Sequence, residues 1–249
     1  LIKPVIGDTN SLGFNFLTGG SRATFSTGMT VVRSTREAIE ELRKRAALLW
    51  EVDLDQVEWV DGHARLIAGD EPKTMSLAQI AKQAGKTGGP IMANCSMNVT
   101  GAGPSLGTHI VDVEVDTETG KVSIVRYTAI QDAGKAIHPA YVEGQMQGGA
   151  VQGIGWALNE EYIYNDKGEL ENTGFLDYRI PVCSDVPMID TVIVEVPNPN
   201  HPYGVRGVGE TPIIPPLAAI SNAVSRATNI RFNELPLSPP KVLAKLMHG

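Results

Sequence analysis

One carboxylate, Glu210, ends a glycine-rich run that begins at Gly204 and reads Gly-Val-Arg-Gly-Val-Gly-Glu. Glycine at 204, 207 and 209 lets the backbone take positive φ angles and come close to a bound group. Pro215 and Pro216, just beyond, suit the first turn of a helix. An acid held there can serve as a general base, although it can equally complement a helix dipole.

A second run, Thr18 to Thr24, gathers backbone amides, three hydroxyl groups and one guanidinium within seven residues. Glycine-rich turns of this composition hold phosphate groups through their amides. The run therefore suggests a phosphate cradle, although by itself it is not specific.

Glycine also recurs through 143–158, a stretch otherwise able to form a helix. Each interior glycine costs a helix about 1 kcal/mol relative to alanine, so something must approach this backbone closely. Two explanations stay open: tight packing through small residues, or a ligand lying along the helix. In the second case Gln145 and Gln152 would offer uncharged amide groups to the ligand.

Three other kinds of site have little support. The five histidines, at 63, 109, 138, 201 and 248, show neither i,i+4 nor His-x-His spacing, so no metal held by protein side chains is expected. The run Gly103-Pro104-Ser105-Leu106-Gly107 has Gly-x-Ser-x-Gly spacing, but it is not expected to supply the nucleophile elbow of a serine hydrolase. The glycines of 204–209 do not follow the dinucleotide-binding order, and no βαβ pattern surrounds them.

The amino-acid composition limits the classes of protein to which this chain can belong. The 249 residues are 42% hydrophobic and 20% charged, as in globular proteins. A net charge of −7 offers no basic surface to nucleic acid or anionic lipid, and no apolar stretch reaches the roughly 20 residues of a membrane helix. Cys95 and Cys183 lack metal-site spacing and indicate a reducing compartment, so a cytoplasmic protein is expected. The chain opens at Leu1 without methionine, as a piece of a longer protein would.

Periodicity predicts the elements that must position these groups. A capping box at 34–37 predicts a helix that begins there and ends near Trp50. Alternation and turn residues predict hairpins over 57–67, 108–130 and 161–170, a short helix over 76–84 and a strand over 191–196. Regular βαβ alternation is lacking, so the fold class is predicted as α+β, with mixed sheets and packed helices. We expect one domain over 1–249, or two lobes at 1–105 and 106–249.

Taken in order, seven segments resemble the molybdenum-cofactor subunit of the xanthine oxidase family of molybdenum hydroxylases, in its carboxy-terminal cofactor-binding portion. They include Gly20-Ser21-Arg22-Ala23-Thr24 and the run from Gly204 to Glu210. The others are 7–9, 107–120, 132–139, 143–149 and 151–155, and the ending 235–242 is also similar. The resemblance covers nearly the whole chain and implies the family's second molybdenum-cofactor-binding domain.

The resemblance also assigns site residues. It places Glu210 on the family's active-site glutamate, the general base of an oxidative hydroxylation that uses oxygen from water. It places Gln145 near the metal, where an amide donates a hydrogen bond without adding charge. The metal of the family is held by a pyranopterin, so the protein needs no ligand of its own. The cofactor-binding positions that the motifs imply are Gly20, Ser21, Arg22, Ala23, Thr24, Gln145, Gly207 and Gly209.

The implied cofactor is molybdopterin with molybdenum, in its cytosine dinucleotide form, with 2Fe-2S clusters and FAD on partner chains. The family's earlier half, which carries further cofactor loops, is absent from this sequence. We therefore expect as partners a complementary amino-terminal half, an iron–sulfur subunit and an FAD subunit, besides a small-molecule substrate. One departure from many relatives is the proline-rich stretch 211–216 after Glu210, which is expected to shift the start of the next helix.

The implied function is a molybdenum-dependent oxidoreductase that hydroxylates an aldehyde or an N-heteroaromatic carbon. Reduction of an aromatic acyl-CoA ester is also known in the family. The alternative is a non-catalytic cofactor-binding or assembly protein of the same fold, and a second rival is an unrelated hydrolase that needs neither metal nor partner chains. Glu210 and Gln145 together favour the enzyme, because a scaffold gains nothing from a base at that point.

Overall fold

The computed structural model describes residues 2–10, 13–15, 17–67 and 73–248. The chain forms two compact units, one of Ser26–Gly101 and one of Leu1–Phe25 together with Ala102–Gly249. The lobes suggested by the sequence, 1–105 and 106–249, stay a prediction. The compact units differ from them in grouping the amino-terminal segment with the carboxy-terminal part of the chain.

The unit Ser26–Gly101 combines helices with a small antiparallel sheet. Helix α1 spans Ala23–Trp50, and strands β1 (Val57–Val60), β2 (His63–Leu66) and β3 (Thr74–Ser76) pair in the order β1-β2-β3. The predicted hairpin over 57–67 is confirmed, as is the short helix after it, now α2 (Leu77–Lys82), which α3 (Ala84–Thr87) follows. The core is formed by buried side chains from the helices and strands, namely Leu42, Ala46, Ala47, Val57, Ala64 and Ile80.

The predicted start of α1 at residue 34 was wrong. The helix begins at Ala23, and Ser34 Oγ donates to the Val31 carbonyl oxygen 3.2 Å away inside the helix instead of capping its end. Phe25, in the first turn, is only 1% exposed. Burial of this kind outweighs the weak helix propensity of residues such as Gly28.

The larger unit is built on a mixed sheet in the order β4-β5-β6. Strands β4 (Gly107–Val115) and β5 (Val122–Asp132) form the predicted antiparallel hairpin, and β6 (Ile189–Val194) runs parallel to β5. Helices α4 (Pro139–Leu158) and α5 (Pro215–Thr228) pack against this sheet, and α6 is Pro239–His248. Sheet and helices share one core, whose largest members include Tyr127, Met146, Ile154, Ile220 and Val224.

The glycines of α4 fall into two groups. A Cβ built on Gly149 or Gly153 would collide with residues 212–216, which lie just before and at the start of α5, so close packing explains these positions. A Cβ on Gly144 or Gly148 would meet nothing within 4 Å. Packing therefore accounts for the later glycines and leaves the two earlier ones to another cause.

The hairpin predicted over 161–170 is confirmed in its turn, where the Asn165 amide donates to the Glu169 carbonyl oxygen at 3.0 Å, but its two sides do not form strands. Only one isolated bridge, between Tyr164 and Leu170, joins its two sides. The side chain of Asn172 takes the backbone groups that a ladder would need, because it accepts the Ile163 amide hydrogen at 2.9 Å and donates to the Glu161 carbonyl oxygen at 2.6 Å. A side chain that satisfies the backbone in this way competes with strand pairing.

Candidate functional site

Glu210 lies where the 204–210 loop turns into helix α5. A 3-10 turn over Thr211–Ile213 follows it directly, and α5 begins at Pro215. The proline-rich stretch 211–216 thus contains a 3-10 turn and the first residues of α5. Of the three glycines in the loop, Gly204 takes a positive φ of 71°, whereas Gly207 and Gly209 serve close approach instead.

An ion pair holds the start of the 204–210 loop in place. Arg206 Nε lies 3.2 Å from Asp132 Oδ2, and both side chains are 13% exposed. The same guanidinium donates to the carbonyl oxygens of Val196 and Pro104, each at 2.9 Å. Asp132 Oδ1 accepts the amide hydrogens of Gly134 and Val196. The loop is therefore tied to the ends of β5 and β6.

Gln131 holds the 204–210 loop through hydrogen bonds from its side chain. It was not predicted as a site residue. Its side chain is 1% exposed, and Nε2 donates to the carbonyl oxygens of Val208 at 3.1 Å and Gly207 at 3.3 Å. A signal for it was present in the sequence. Gln131 falls on the inward-facing positions of β5 shared with Tyr127 and Ala129, and a polar residue at such a position must find a hydrogen-bond partner.

Ser21 contacts Glu210 through two hydrogen bonds. Ser21 Oγ accepts the Glu210 amide hydrogen at 2.7 Å and donates to Glu210 Oε2 at 3.0 Å. Ser21 takes a φ of 52°, in the left-handed region that non-glycine residues rarely occupy. The two glycine-containing runs, 18–24 and 204–210, therefore meet at this contact.

The first half of α4 forms the opposite side of the site. His138 caps the helix by accepting the Tyr141 amide hydrogen at 3.3 Å, and the two rings stack with centroids 3.9 Å apart. One turn further on, the Oε1 atom of Gln145 lies next to the bare backbone of Gly209. Gln145 and Glu210 are thereby brought to the same place from different elements.

Glu210, Ser21 and Gln145 line one cavity of about 520 Å³. Among the other predicted site residues, Ala23, Thr24 and Gly209 line it, whereas Gly20, Arg22 and Gly207 do not. Gly207 instead lies against the Ser21 backbone, where its bare Cα makes room. The cavity also has lining residues that were not predicted as site residues, among them Lys135, His138 and Tyr141.

The cations of the cavity are paired with other carboxylates. Lys135 Nζ lies 3.0 Å from Glu195 Oε2, as Arg206 lies beside Asp132. The hydrogen bond from the Ala136 amide, and then the Lys135 ammonium, hold the pKa of Glu195 below its usual value. No cation in the described part of the chain forms an ion pair with Glu210, whose carboxylate is held by Ser21.

The lining suits a polar group with an anionic tail. The hydroxyls of Ser21 and Thr24 and the amide of Gln145 offer hydrogen-bond donors and acceptors. Helix α1 begins at Ala23, so the unpaired amides of its first turn favour an anion there.

The residues that the structure describes contain no group of three His, Cys, Asp or Glu side chains that could hold a metal ion. None of the described helices is long and apolar enough to cross a membrane.

Comparison with known proteins gives the family. A family model described as a molybdopterin cofactor-binding domain matches residues 1–187. The xanthine dehydrogenase molybdenum-binding subunit of Escherichia coli O157:H7 is 37% identical over 207 residues, which are 82% of this chain and 28% of that protein. The nicotine 6-hydroxylase large subunit of Paenarthrobacter nicotinovorans is 33% identical over 235 residues, which are 90% of this chain and 29% of that protein.

A solved structure agrees with these relatives. The crystal structure of quinoline 2-oxidoreductase from Pseudomonas putida 86 matches with a TM-score of 0.82 at 28% identity, over 96% of this chain and 32% of that chain. The predicted α+β fold is confirmed. The chain spans less than a third of the length of each of these three relatives. It belongs to the molybdopterin cofactor-binding domain family, and its resemblance to the cofactor subunits of the xanthine oxidase family is thereby confirmed.

Proposed function

We propose that this chain is the cofactor-binding and base-carrying part of a molybdenum-dependent oxidoreductase. Its reaction is the hydroxylation of an aldehyde or an N-heteroaromatic carbon with oxygen from water. The names of two relatives, a nicotine 6-hydroxylase and a quinoline 2-oxidoreductase, refer to nitrogen heterocycles and support the second substrate class.

The position of Glu210 carries this proposal. Its carboxylate lines the cavity, is held by Ser21 and faces a space that Gln145 also lines. A carboxylate without an ion pair to any described residue is available to accept a proton from a reacting group. Glu210 itself is exposed, and the surrounding wall includes the apolar side chains of Val142, Val205 and Val208.

The residues that would hold the cofactor are those implied by the motifs: Gly20, Ser21, Arg22, Ala23, Thr24, Gln145, Gly207 and Gly209. The cofactor is molybdopterin in its cytosine dinucleotide form, which when bound supplies a redox-active molybdenum centre for the two electrons of the oxidation. Glu210 accepts a proton at a carboxylate oxygen as the new carbon–oxygen bond forms. Gln145 Nε2, an uncharged donor, donates a hydrogen bond to the bound cofactor.

We further propose that the chain works in the cytoplasm with partner chains. They are a complementary amino-terminal part, an iron–sulfur subunit with 2Fe-2S clusters and an FAD subunit. The name "large subunit" of the nicotine 6-hydroxylase supports the existence of partner subunits. Cys95 and Cys183 are both free, as in a reducing compartment.

The test is Glu210→Gln in the enzyme purified with the chains that accompany it. The amide keeps the size of the side chain and loses the base, so turnover is expected to fall about 10²–10⁴-fold, the usual worth of a general base. Molybdenum content, measured by elemental analysis, is expected to stay unchanged. Glu114→Gln, an exposed change on β4, is the matched control.

Two results would count against the proposal. Unchanged turnover in Glu210→Gln would remove Glu210 from its role as the base. Bound molybdenum without any turnover in the unchanged enzyme, tested on aldehydes and N-heterocycles, would favour the non-catalytic cofactor-binding or assembly protein. The rival reading as an unrelated hydrolase is excluded, because the chain belongs to the molybdopterin cofactor-binding domain family.

A further inference from the structure

Ser21 and Glu210 are 189 residues apart in sequence, yet one hydroxyl group binds Glu210 at two places. A lone pair of Ser21 Oγ accepts the backbone N–H of Glu210 at 2.7 Å, and the hydroxyl hydrogen is donated to Glu210 Oε2 at 3.0 Å. Both the donor and the acceptor capacity of the hydroxyl are thus used on one residue. A side chain tied to its own amide through a single atom has few orientations left.

The backbone around Ser21 is built to keep this contact. Gly20 and Ser21 take consecutive positive φ angles of 70° and 52°. A Cβ on Gly207 would lie 3.0 Å from the Ser21 carbonyl oxygen, and one on Gly209 would lie 3.5 Å from Ser21 Oγ. The first distance is tight, so Gly207 leaves space for this serine, whereas the second is an ordinary van der Waals distance. A non-glycine residue held in a rare conformation at a cavity wall often has a functional reason.

Capping of the turn after Glu210 does not explain the whole contact. A cap for Thr211–Ile213 needs only acceptors for backbone N–H groups, and the hydrogen bond from the Glu210 amide satisfies one such group at the start of the turn. The second hydrogen bond, from the hydroxyl to the carboxylate, adds nothing to a cap. It fixes the orientation of the group that faces the cavity, and hydrogen bonds to a carboxylate are stronger than neutral ones.

We infer that Ser21 is a positioning residue that holds the Glu210 carboxylate toward the cavity, a role that rests on the proposed function of Glu210 as the base. Without the hydroxyl, the carboxylate explores other rotamers and is less often aligned with the reacting group. Because misalignment of a reacting group by about 1 Å costs up to about 10²-fold in rate, we expect kcat to fall about 10- to 100-fold with KM unchanged.

Two substitutions separate the hydroxyl from the backbone. Ser21→Gly removes the hydroxyl and accepts the positive φ without strain, whereas Ser21→Ala removes the hydroxyl and keeps the strain. If the hydroxyl is what matters, both variants lose kcat to the same extent. Ser34→Ala, on the surface of α1, is the control for serine loss and is expected to leave kcat unchanged.

A second readout does not depend on activity. Hydrogen exchange at the Glu210 amide, followed by mass spectrometry on the purified enzyme, is expected to speed up about 5-fold or more in Ser21→Gly, the worth of one lost hydrogen bond. In a double-mutant cycle, Ser21→Gly is expected to change kcat little once Glu210→Gln is present, because the positioned group is gone.

The outcomes distinguish this inference from the proposed function. If Glu210→Gln abolishes most turnover while Ser21→Gly has normal kcat, the positioning role is refuted and the base is retained. A loss of kcat that is equally large with and without Glu210→Gln would also refute it, since Ser21 would then act elsewhere. If Glu210→Gln leaves turnover normal, the proposed function itself fails, whatever the exchange rate shows.

Discussion

The backbone of Gly209 lies directly against the side-chain amide of Gln145. A Cβ built on Gly209 would be 2.9 Å from Gln145 Oε1, closer than real Cβ atoms approach an oxygen. Gln145 therefore occupies space that any side chain at position 209, directly before the proposed base, would fill, and only glycine leaves it open.

Gly209→Ala is expected to displace the Gln145 amide without unfolding the protein. The colliding atom is the far end of a flexible side chain, so the free energy of unfolding should change by less than about 1 kcal/mol. Turnover should fall by about 10-fold or more, because a small displacement at the reacting centre is costly. Urea unfolding and steady-state kinetics test this, and a fall in stability with normal turnover would contradict it.

Two glycines of α4 give opposite predictions. Gly148→Ala adds a methyl group to open space within a helix and should stabilise the protein by up to about 1 kcal/mol. Gly153→Ala places its Cβ 2.8 Å from the Ile213 carbonyl oxygen, which cannot move freely, and should destabilise by about 1–3 kcal/mol. Thermal unfolding of the two variants side by side shows whether each Tm rises or falls. Equal shifts in Tm would refute the division of the α4 glycines into two groups.

The Arg206–Asp132 pair should matter far more than an exposed pair of the same kind. Arg206→Met leaves Asp132, 13% exposed, without its partner and should cost about 3 kcal/mol or more in unfolding free energy. Arg126→Met breaks the Arg126–Asp112 pair, whose side chains are 67% and 50% exposed, and should cost less than about 1 kcal/mol. Chemical denaturation measures the unfolding free energy of both variants. Similar losses in the two would contradict the greater importance of the Arg206–Asp132 pair.

His109 should make stability depend on pH. Its Nδ1 shares a hydrogen bond of 2.8 Å with the Tyr127 hydroxyl, and burial lowers the pKa of His109 to about 4. The unfolded chain, with a histidine pKa of about 6.5, therefore binds a proton between these values that the folded chain does not. The unfolding free energy should fall as pH drops from about 6.5 toward 4, by at most about 3 kcal/mol from this residue.

His109→Gln isolates that contribution, because glutamine keeps a hydrogen-bond partner for Tyr127 and does not titrate in this range. Unfolding free energies at pH 7 and pH 5 should differ less in this variant than in the unchanged protein. His63→Gln, an exposed change on β2, is the control and should keep the original difference. The same pH dependence in all three proteins would show that His109 is not its source.

Several elements were predictable because their signals are local. The alternation of 108–130 predicted the hairpin of β4 and β5, and the glycines of 143–158 predicted that something approaches α4. The start of α1 was not predictable, because burial of Phe25 extends the helix past a capping box that would otherwise begin it. The supporting role of Gln131 was also missed, since its carbonyl partners lie in a distant loop.

The sequence by itself determined the hairpins, the glycine-rich helix, the acid at 210 and the family, because each rests on patterns of neighbouring residues or on motifs in order. Only the tertiary structure decided that β6 runs parallel to β5, that residues 1–25 belong with 102–249, and that Ser21 meets Glu210. The physical reason is that a hydrogen bond between residues 189 positions apart depends on how the chain returns on itself, which no local pattern specifies.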